Sequence, residues 1–251
     1  MNHYELEHII NHELKSDEIK DYAPNGLQVE GKSAVKKIIC GVTACQALLD
    51  YATAQQADAV LVHHGYFWKN EPVTLTGMKA KRIRTLMQNN INLYAYHLPL
   101  DVHPHLGNNA QLAKRLDIID LEPLEDSPFS IPVYGKLAQP LSADALRQRI
   151  SFILEREPLH CGDNAPERIE RVALCTGGGQ DYIDLAAAYG IDAFITGEVS
   201  ERTIHTAREM GIHFYAAGHH ATERFGVQAL GHWLATHFDL TVEYHEVNNP
   251  A

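Results

Sequence analysis

Short apolar runs bounded by turn residues alternate along this chain with stretches whose apolar positions recur every three to four residues. That alternation predicts an α/β protein with largely parallel strands covered by helices. Residues 4–14 and 143–154 read as amphipathic helices. Each is followed by a short strand, Leu27-Gln28-Val29 or Leu159-His160-Cys161, and then by a longer one, Lys37-Ile38-Ile39-Cys40 or Arg171-Val172-Ala173-Leu174. Helical stretches at 46–56 and 180–190 come next, and the strands Asp58-Ala59-Val60-Leu61-Val62 and Asp192-Ala193-Phe194-Ile195-Thr196 follow them. After a further helix each series ends in a strand, Ile91-Asn92-Leu93-Tyr94-Ala95-Tyr96 or Ile212-His213-Phe214-Tyr215-Ala216-Ala217. One order of elements used twice predicts an internal duplication, with two related α/β lobes at residues 1–122 and 123–251.

Composition narrows the class of function. A chain of 251 residues with 45% hydrophobic content holds a sizeable core, and its net charge of −11 argues against a nucleic-acid surface. The first twenty residues carry acids among their apolar positions and read as a helix, not a secretory leader. No apolar run approaches the ~20 residues that cross a bilayer. Cys40, Cys45, Cys161 and Cys175 match no zinc module and fall in or beside strands, where buried reduced thiols are expected. These features predict a cytoplasmic protein.

Candidate chemistry sits at the ends of the strands. His97-x-x-x-Asp101 and His219-x-x-x-Glu223 each close an apolar run, and the second pair lies 122 positions after the first. An imidazole with a carboxylate is a ligand set for a borderline divalent metal. His63 and His64 end another strand, at the carboxyl edge where open α/β sheets bind ligands. Adjacent strand residues point to opposite faces, so the two share one ion only if the chain has turned by Gly65; otherwise they serve neighbouring ions or cap a loop. Asp101 and Glu223 stand where a loop enters a helix. Aspartate suits a helix cap, whereas glutamate is a poor one, which makes Glu223 the stronger ligand candidate and a carboxylate able to bridge two cations.

In Gly218-His219-His220-Ala221-Thr222-Glu223 either histidine can ligate. The repeat register selects His219, leaving His220 and Thr222 as outer hydrogen-bond partners or wall residues. Glu198, after Thr196-Gly197, is either a proton shuttle or a structural acid at a strand end. Tyr66, Phe67 and Trp68 stack on a purine or form a satellite apolar cluster, with Lys69 placed for a phosphate. Thr176-Gly177-Gly178-Gly179-Gln180 links strand to helix without the lysine of a P-loop, and close packing is its simpler explanation.

Asp21-Tyr22-Ala23-Pro24-Asn25-Gly26-Leu27-Gln28-Val29, His63-His64-Gly65, His97-Leu98-Pro99-Leu100-Asp101, Thr196-Gly197-Glu198 and Gly218-His219-His220-Ala221-Thr222-Glu223 together resemble the Nif-three-like family. Its members carry the name GTP cyclohydrolase 1 type 2 homologue, and within it the chain resembles the enterobacterial YbgI branch. The resemblance implies two related, interlocked α/β lobes with a dinuclear metal site between them, and assembly into a toroidal homohexamer. It also implies metal ligation by His63, His64, Asp101, His219 and Glu223, with His97 lining the pocket as a proton carrier. Leu98-Pro99-Leu100 and Gly65 depart from the pattern of many relatives at the pocket wall.

The function expected from this reading is a divalent-metal-dependent hydrolase that acts on a nucleotide or related heterocycle through metal-activated water. His97 and Glu198 are its candidate catalytic groups, and two ions of Zn, Mn, Fe, Co or Ni are its cofactors. The competing expectation is a metal-binding ring-shaped scaffold or metal-delivery protein without turnover.

Overall fold

The computed structural model describes residues 1–127 and 129–251. It divides into two compact units, one built from Met1–Gly107 with Gly226–Asn248, the other from Asn108–Phe225 with Asn249–Ala251.

In the first unit α1 (His3–Leu14) starts under a capping box: Asn2 Oδ1 accepts the Tyr4 N–H at 2.9 Å and Glu5 Oε2 accepts the Asn2 N–H at 3.3 Å. Leu6, Ile10 and Leu14 recur at helical spacing and are buried, and left-handed Lys15 (φ 52°) ends the helix. The chain continues through β1 (Gly26–Val29), β2 (Lys37–Thr43), α2 (Gln46–Ala54), β3 (Ala59–His64), α3 (Gly77–Gln88), β4 (Asn92–Ala95) and a short α4 (Leu98–Val102). The sheet order is β1-β4-β3-β2, extended on its far edge by the C-terminal strand Thr241–Tyr244. Its three central strands are parallel and β1 runs antiparallel to β4.

Alternate strand residues feed two cores. Ile38, Leu61 and Tyr94 pack with Leu6 and Ile10 of α1 and with Val227, Leu230 and Leu234, while Ile39, Val60 and Leu93 pack with Leu48 and Leu49 of α2 and Leu86 of α3. Burying each such side chain contributes about 1.5–3 kcal/mol.

The second unit begins with α5 (Asn108–Arg115), β5 (Ile118–Pro123) and β6 (Val133–Leu141), then runs α6 (Ala143–Leu154), β7 (Leu159–Cys161) and β8 (Ile169–Cys175). A single 3-10 turn leads into α7 (Ile183–Ala188), followed by β9 (Ala193–Thr196), α8 (Glu201–Met210), β10 (His213–Ala216) and a one-turn α9 (His219–Thr222). The next helix, α10 (Arg224–His237), carries the chain into the first unit's C-terminal strand, β11 (Thr241–Tyr244). The second sheet has the order β5-β6-β8-β9-β10-β7. Strands β8, β9 and β10 are parallel, and β7 runs antiparallel to β10.

The expected order of elements is therefore present in each unit, and its details repeat. Helix α6 buries Leu146, Ile150 and Leu154 and ends at left-handed Glu155 (φ 55°), as α1 does at Lys15. Asp58 Oδ2 accepts the N–H groups of Lys36 and Lys37 at 2.8 Å; Asp192 Oδ2 accepts those of Glu170 and Arg171 at 2.9 and 2.8 Å. The Tyr94 hydroxyl donates to the carbonyl of His3, the first residue of α1, and the Tyr215 hydroxyl to that of Ala143, the first residue of α6.

Three expectations need correction. The largely parallel sheets carry antiparallel strands: β1 in the first, and β5, β6 and β7 in the second. A division at 122/123 would cut β5, which pairs with β6 in the second sheet, and it misses the return of Gly226–Asn248 to the first unit. The register of 122 is also one residue too long: Ala95 pairs with Val62 and Ala216 with Thr196, and the helices that follow start after His97 and after Gly218. His97 thus matches Gly218, and His219 lies one position further along.

Candidate functional site

In the first unit β3 delivers His63 and His64 to its carboxyl end, and the turn after β4 delivers His97. Ligand-capable atoms of the three imidazoles lie within 4.8 Å of one another. The rings of His63 and His64 are 4.5 Å apart, so these neighbours come together although they leave adjacent positions of a strand. His63 is fully buried, and its Nδ1 lies 2.9 Å from the Tyr96 carbonyl. A carbonyl only accepts, so Nδ1 carries a proton, and Nε2 lies 3.5 Å from Asp101 Oδ1. Asp101 is buried inside α4 and is not the start of a helix, contrary to expectation. His64 Nδ1 lies 3.2 Å from the Thr43 hydroxyl.

His97 is held differently. Its Nδ1 meets Asp21 Oδ1 at 2.9 Å, and its backbone N–H donates to Asn25 Oδ1 at 2.7 Å. Asp21 also accepts the backbone N–H groups of Tyr22, Ala23 and Leu98 and the Asn25 side-chain amide. Burial alone would raise the Asp21 pKa. The hydrogen bond and charge of His97, then the Asn25 and Leu98 N–H donors, outweigh burial and lower it to about 2. Asp21 escaped the reading of site residues, although it opens the Asp21–Val29 motif; an aspartate before a Pro-Asn-Gly turn is the pattern that marks it.

In the second unit His219 stands between two carboxylates, with Nδ1 2.6 Å from Glu198 Oε1 and Nε2 3.2 Å from Glu223 Oε2. Burial would lower its pKa, but Glu223 and then Glu198 overcome that and raise it to about 9. Glu198 is about half exposed and braces an imidazole, whereas Glu223 is 3% exposed. A carboxylate buried to that extent needs a compensating cation or donors.

The glycine run makes room for that carboxylate. A Cβ on Gly177 would collide with Glu223 Oε1, and φ at this residue is 68°. The Gly177 N–H donates to the Thr222 hydroxyl at 3.0 Å, the Gly179 N–H to Thr196 at 3.1 Å, and the Thr176 N–H to Asn109 at 2.9 Å. With these donors engaged and Glu198 and Glu223 alongside, the run packs against acids and does not cradle a phosphate. The Thr222 hydroxyl bonds backbone groups, accepting from Gly177 and donating to the carbonyls of the Gly218-His219 turn. His220 is buried, and its backbone N–H donates to the Ala251 carbonyl.

These donor sets fit a borderline divalent metal. In each unit one imidazole has Nδ1 backed by an oxygen and Nε2 beside a buried carboxylate, the arrangement that fixes tautomer and aim in histidine ligands. Of the aromatics after His64, Tyr66 is buried with its hydroxyl on the Ala44 carbonyl, Phe67 lies under Lys79, and Trp68 meets His64 and His97. Among the described residues no helix is long and apolar enough to cross a membrane.

The family described as Duf34/NIF3 (NGG1p interacting factor 3) matches residues 1–250. The chain is 66% identical over 251 residues to a protein of Pasteurella multocida named GTP cyclohydrolase 1 type 2 homolog, with all of both chains covered. A solved structure described as protein ybgI, of unknown function, is 57% identical, with a TM-score of 0.97 and full coverage of both chains. TTHA1606 from Thermus thermophilus is 33% identical, with a TM-score of 0.90 and again full coverage of both chains.

Proposed function

The chain belongs to the Duf34/NIF3 family, and from that premise we propose that it is a divalent-metal-dependent hydrolase of a nucleotide or related heterocycle. His63, His64 and Asp101 of the first unit and His219 and Glu223 of the second hold two divalent ions per subunit. The observation that carries this reading is the orientation shared by His63 and His219, whose Nδ1 atoms are occupied and whose Nε2 atoms face buried acids. The chemistry such ions supply is Lewis acidity, which brings the pKa of water toward ~7 and polarises the bond under attack.

His97 carries the proton. Asp21 fixes its tautomer by taking the Nδ1–H, so Nε2 is the atom that accepts a proton and returns it to the leaving group. Glu198 holds His219 in place and leaves proton transfer to His97. The names of the relatives suggest ring opening of GTP as the first reaction to try. Assembly into a toroidal homohexamer belongs to the same proposal, and light scattering on the purified protein measures it.

The test strips the protein with a chelator, reloads it with Mn, Fe, Zn, Co or Ni, and offers nucleotides and phosphoesters. Metal-dependent turnover that Glu223→Gln abolishes is the expected result. Inertness toward every substrate, together with loss of assembly on metal removal, would instead identify a scaffold or delivery protein.

A further inference from the structure

Tyr22 and Trp68 sit in two separate loops of the first unit and converge on His97. The His97 ring meets Tyr22 at a centroid distance of 5.0 Å and an interplanar angle of 72°, and Trp68 at 4.9 Å and 78°. The two aromatics are 5.8 Å apart and inclined by 36°. Tyr22 is 53% exposed beside a buried histidine. Both loops are fixed in advance. Asp21 Oδ1 accepts the N–H groups of Tyr22 and Ala23, Glu71 Oε2 accepts those of Phe67 and Trp68, and Lys79 holds Glu71 at 3.3 Å. The Lys69 N–H then ties the loops together by donating to the Tyr22 carbonyl at 2.8 Å.

A hydrophobic shield for His97 would bury its rings, as Tyr66 next door is buried at 4% exposure. Tyr22 instead keeps 53% exposure while Asp21 fixes its backbone, a placement that suits contact with a flat ligand. The other candidate for ligand recognition is cationic, and it is weaker: Lys79 is committed to Glu71, and a net charge of −11 does not favour polyanions.

We propose that Tyr22 and Trp68 form a stacking platform that binds the planar heterocycle of the substrate by its π-face and sets it against His97. This rests on the hydrolase reading and names the part of the substrate that the first unit recognises. The recognised element is the ring, not the sugar phosphate. Aromatic stacking of a base supports an affinity contribution of about tenfold or more per ring.

Trp68 is its own reporter. In metal-loaded Trp233→Phe protein it is the remaining tryptophan, and its emission on excitation near the red edge follows stacking directly. Guanosine 5′-monophosphate and a pterin are expected to quench it saturably, ribose 5-phosphate is expected to leave it unchanged, and Tyr22→Leu is expected to weaken the quenching ligand about tenfold. No quenching by either ring, equal quenching by ribose 5-phosphate, or an unchanged Kd in Tyr22→Leu overturns the platform. Saturable quenching without turnover on any metal leaves the platform standing and removes the hydrolase reading. Turnover with Trp68 emission unmoved, and an unchanged KM in Tyr22→Leu, does the reverse.

Discussion

The two units share a frame and differ in what they hang on it. An aspartate at the start of β3 or β9 caps the strand before it, and a buried tyrosine of β4 or β10 reaches the first carbonyl of α1 or α6. At the carboxyl ends the resemblance stops. Where the first unit has Thr43, whose hydroxyl meets His64, the second has Gly177, whose missing Cβ admits Glu223. His63-His64 is matched by Gly197-Glu198, and His97 by Gly218. Bonds inside a core tolerate little change in side chain. Side chains at the carboxyl ends of the strands lie outside the apolar cores and are free of that constraint, so one frame can present imidazoles in one copy and acids in the other.

The sharpest way to break this contrast is to give the second unit a side chain where it has none. Gly177→Ala combines a left-handed φ with a collision on Glu223, and a cost on the order of 3 kcal/mol, about a hundredfold in metal affinity, is expected by calorimetric titration. Thr43→Ala, at the matching place, removes one hydrogen bond and is expected to cost about 1 kcal/mol. Equal losses would end the distinction.

Asp21 is next in size. Its pKa is lowered in the folded protein, so its stabilisation is complete above the unfolded value of 3.8 and fades as pH falls toward about 2. Asp21→Asn is expected to be roughly 2 kcal/mol less stable than the parent above pH 4, with the gap closing toward pH 2 in urea melts. A gap independent of pH would mean that the His97 pairing contributes nothing.

The acid-flanked His219 behaves in the opposite sense. Its raised pKa stabilises the metal-free protein fully below 6.5, and that support is lost as pH rises through about 9. A ligand must shed its proton, so metal affinity is expected to climb about tenfold per pH unit up to about 9 and then level off. The smallest test addresses the frame itself: Tyr94→Phe and Tyr215→Phe should each cost about 1 kcal/mol. A large inequality would mean that the two copies are not held alike.

Much of this was legible in the chain. The runs ending at Val62 and Thr196 and the helices with Leu6-Ile10-Leu14 and Leu146-Ile150-Leu154 carry clean periodicity, because each buries one face or both. Strands β5, β6 and β11 did not announce themselves. They lie at or toward sheet edges, β5 is largely exposed while β6 and β11 are in good part half-buried, and Pro123 and Pro140 blur two of them. The metal-ligand candidates stood out as residue types at strand ends. Asp21, Thr43 and Gly177 did not, since each acts through a contact between segments distant in sequence. The one-residue slip between His97 and His219 was hidden for the same reason: side-chain pattern suggested 122, and only strand register corrects it.

Strand β11 gives the order of synthesis a structural meaning. It completes the first sheet by pairing in parallel with β2, yet the ribosome must make the whole of Asn108–Phe225 before it appears. At 5–20 residues per second that is a wait of roughly 6–24 s, during which the second unit can fold while β2 still shows an open edge. A chain cut short in that interval keeps the edge exposed, so a nascent molecule advertises its own incompleteness to chaperones and proteases until its last strand docks.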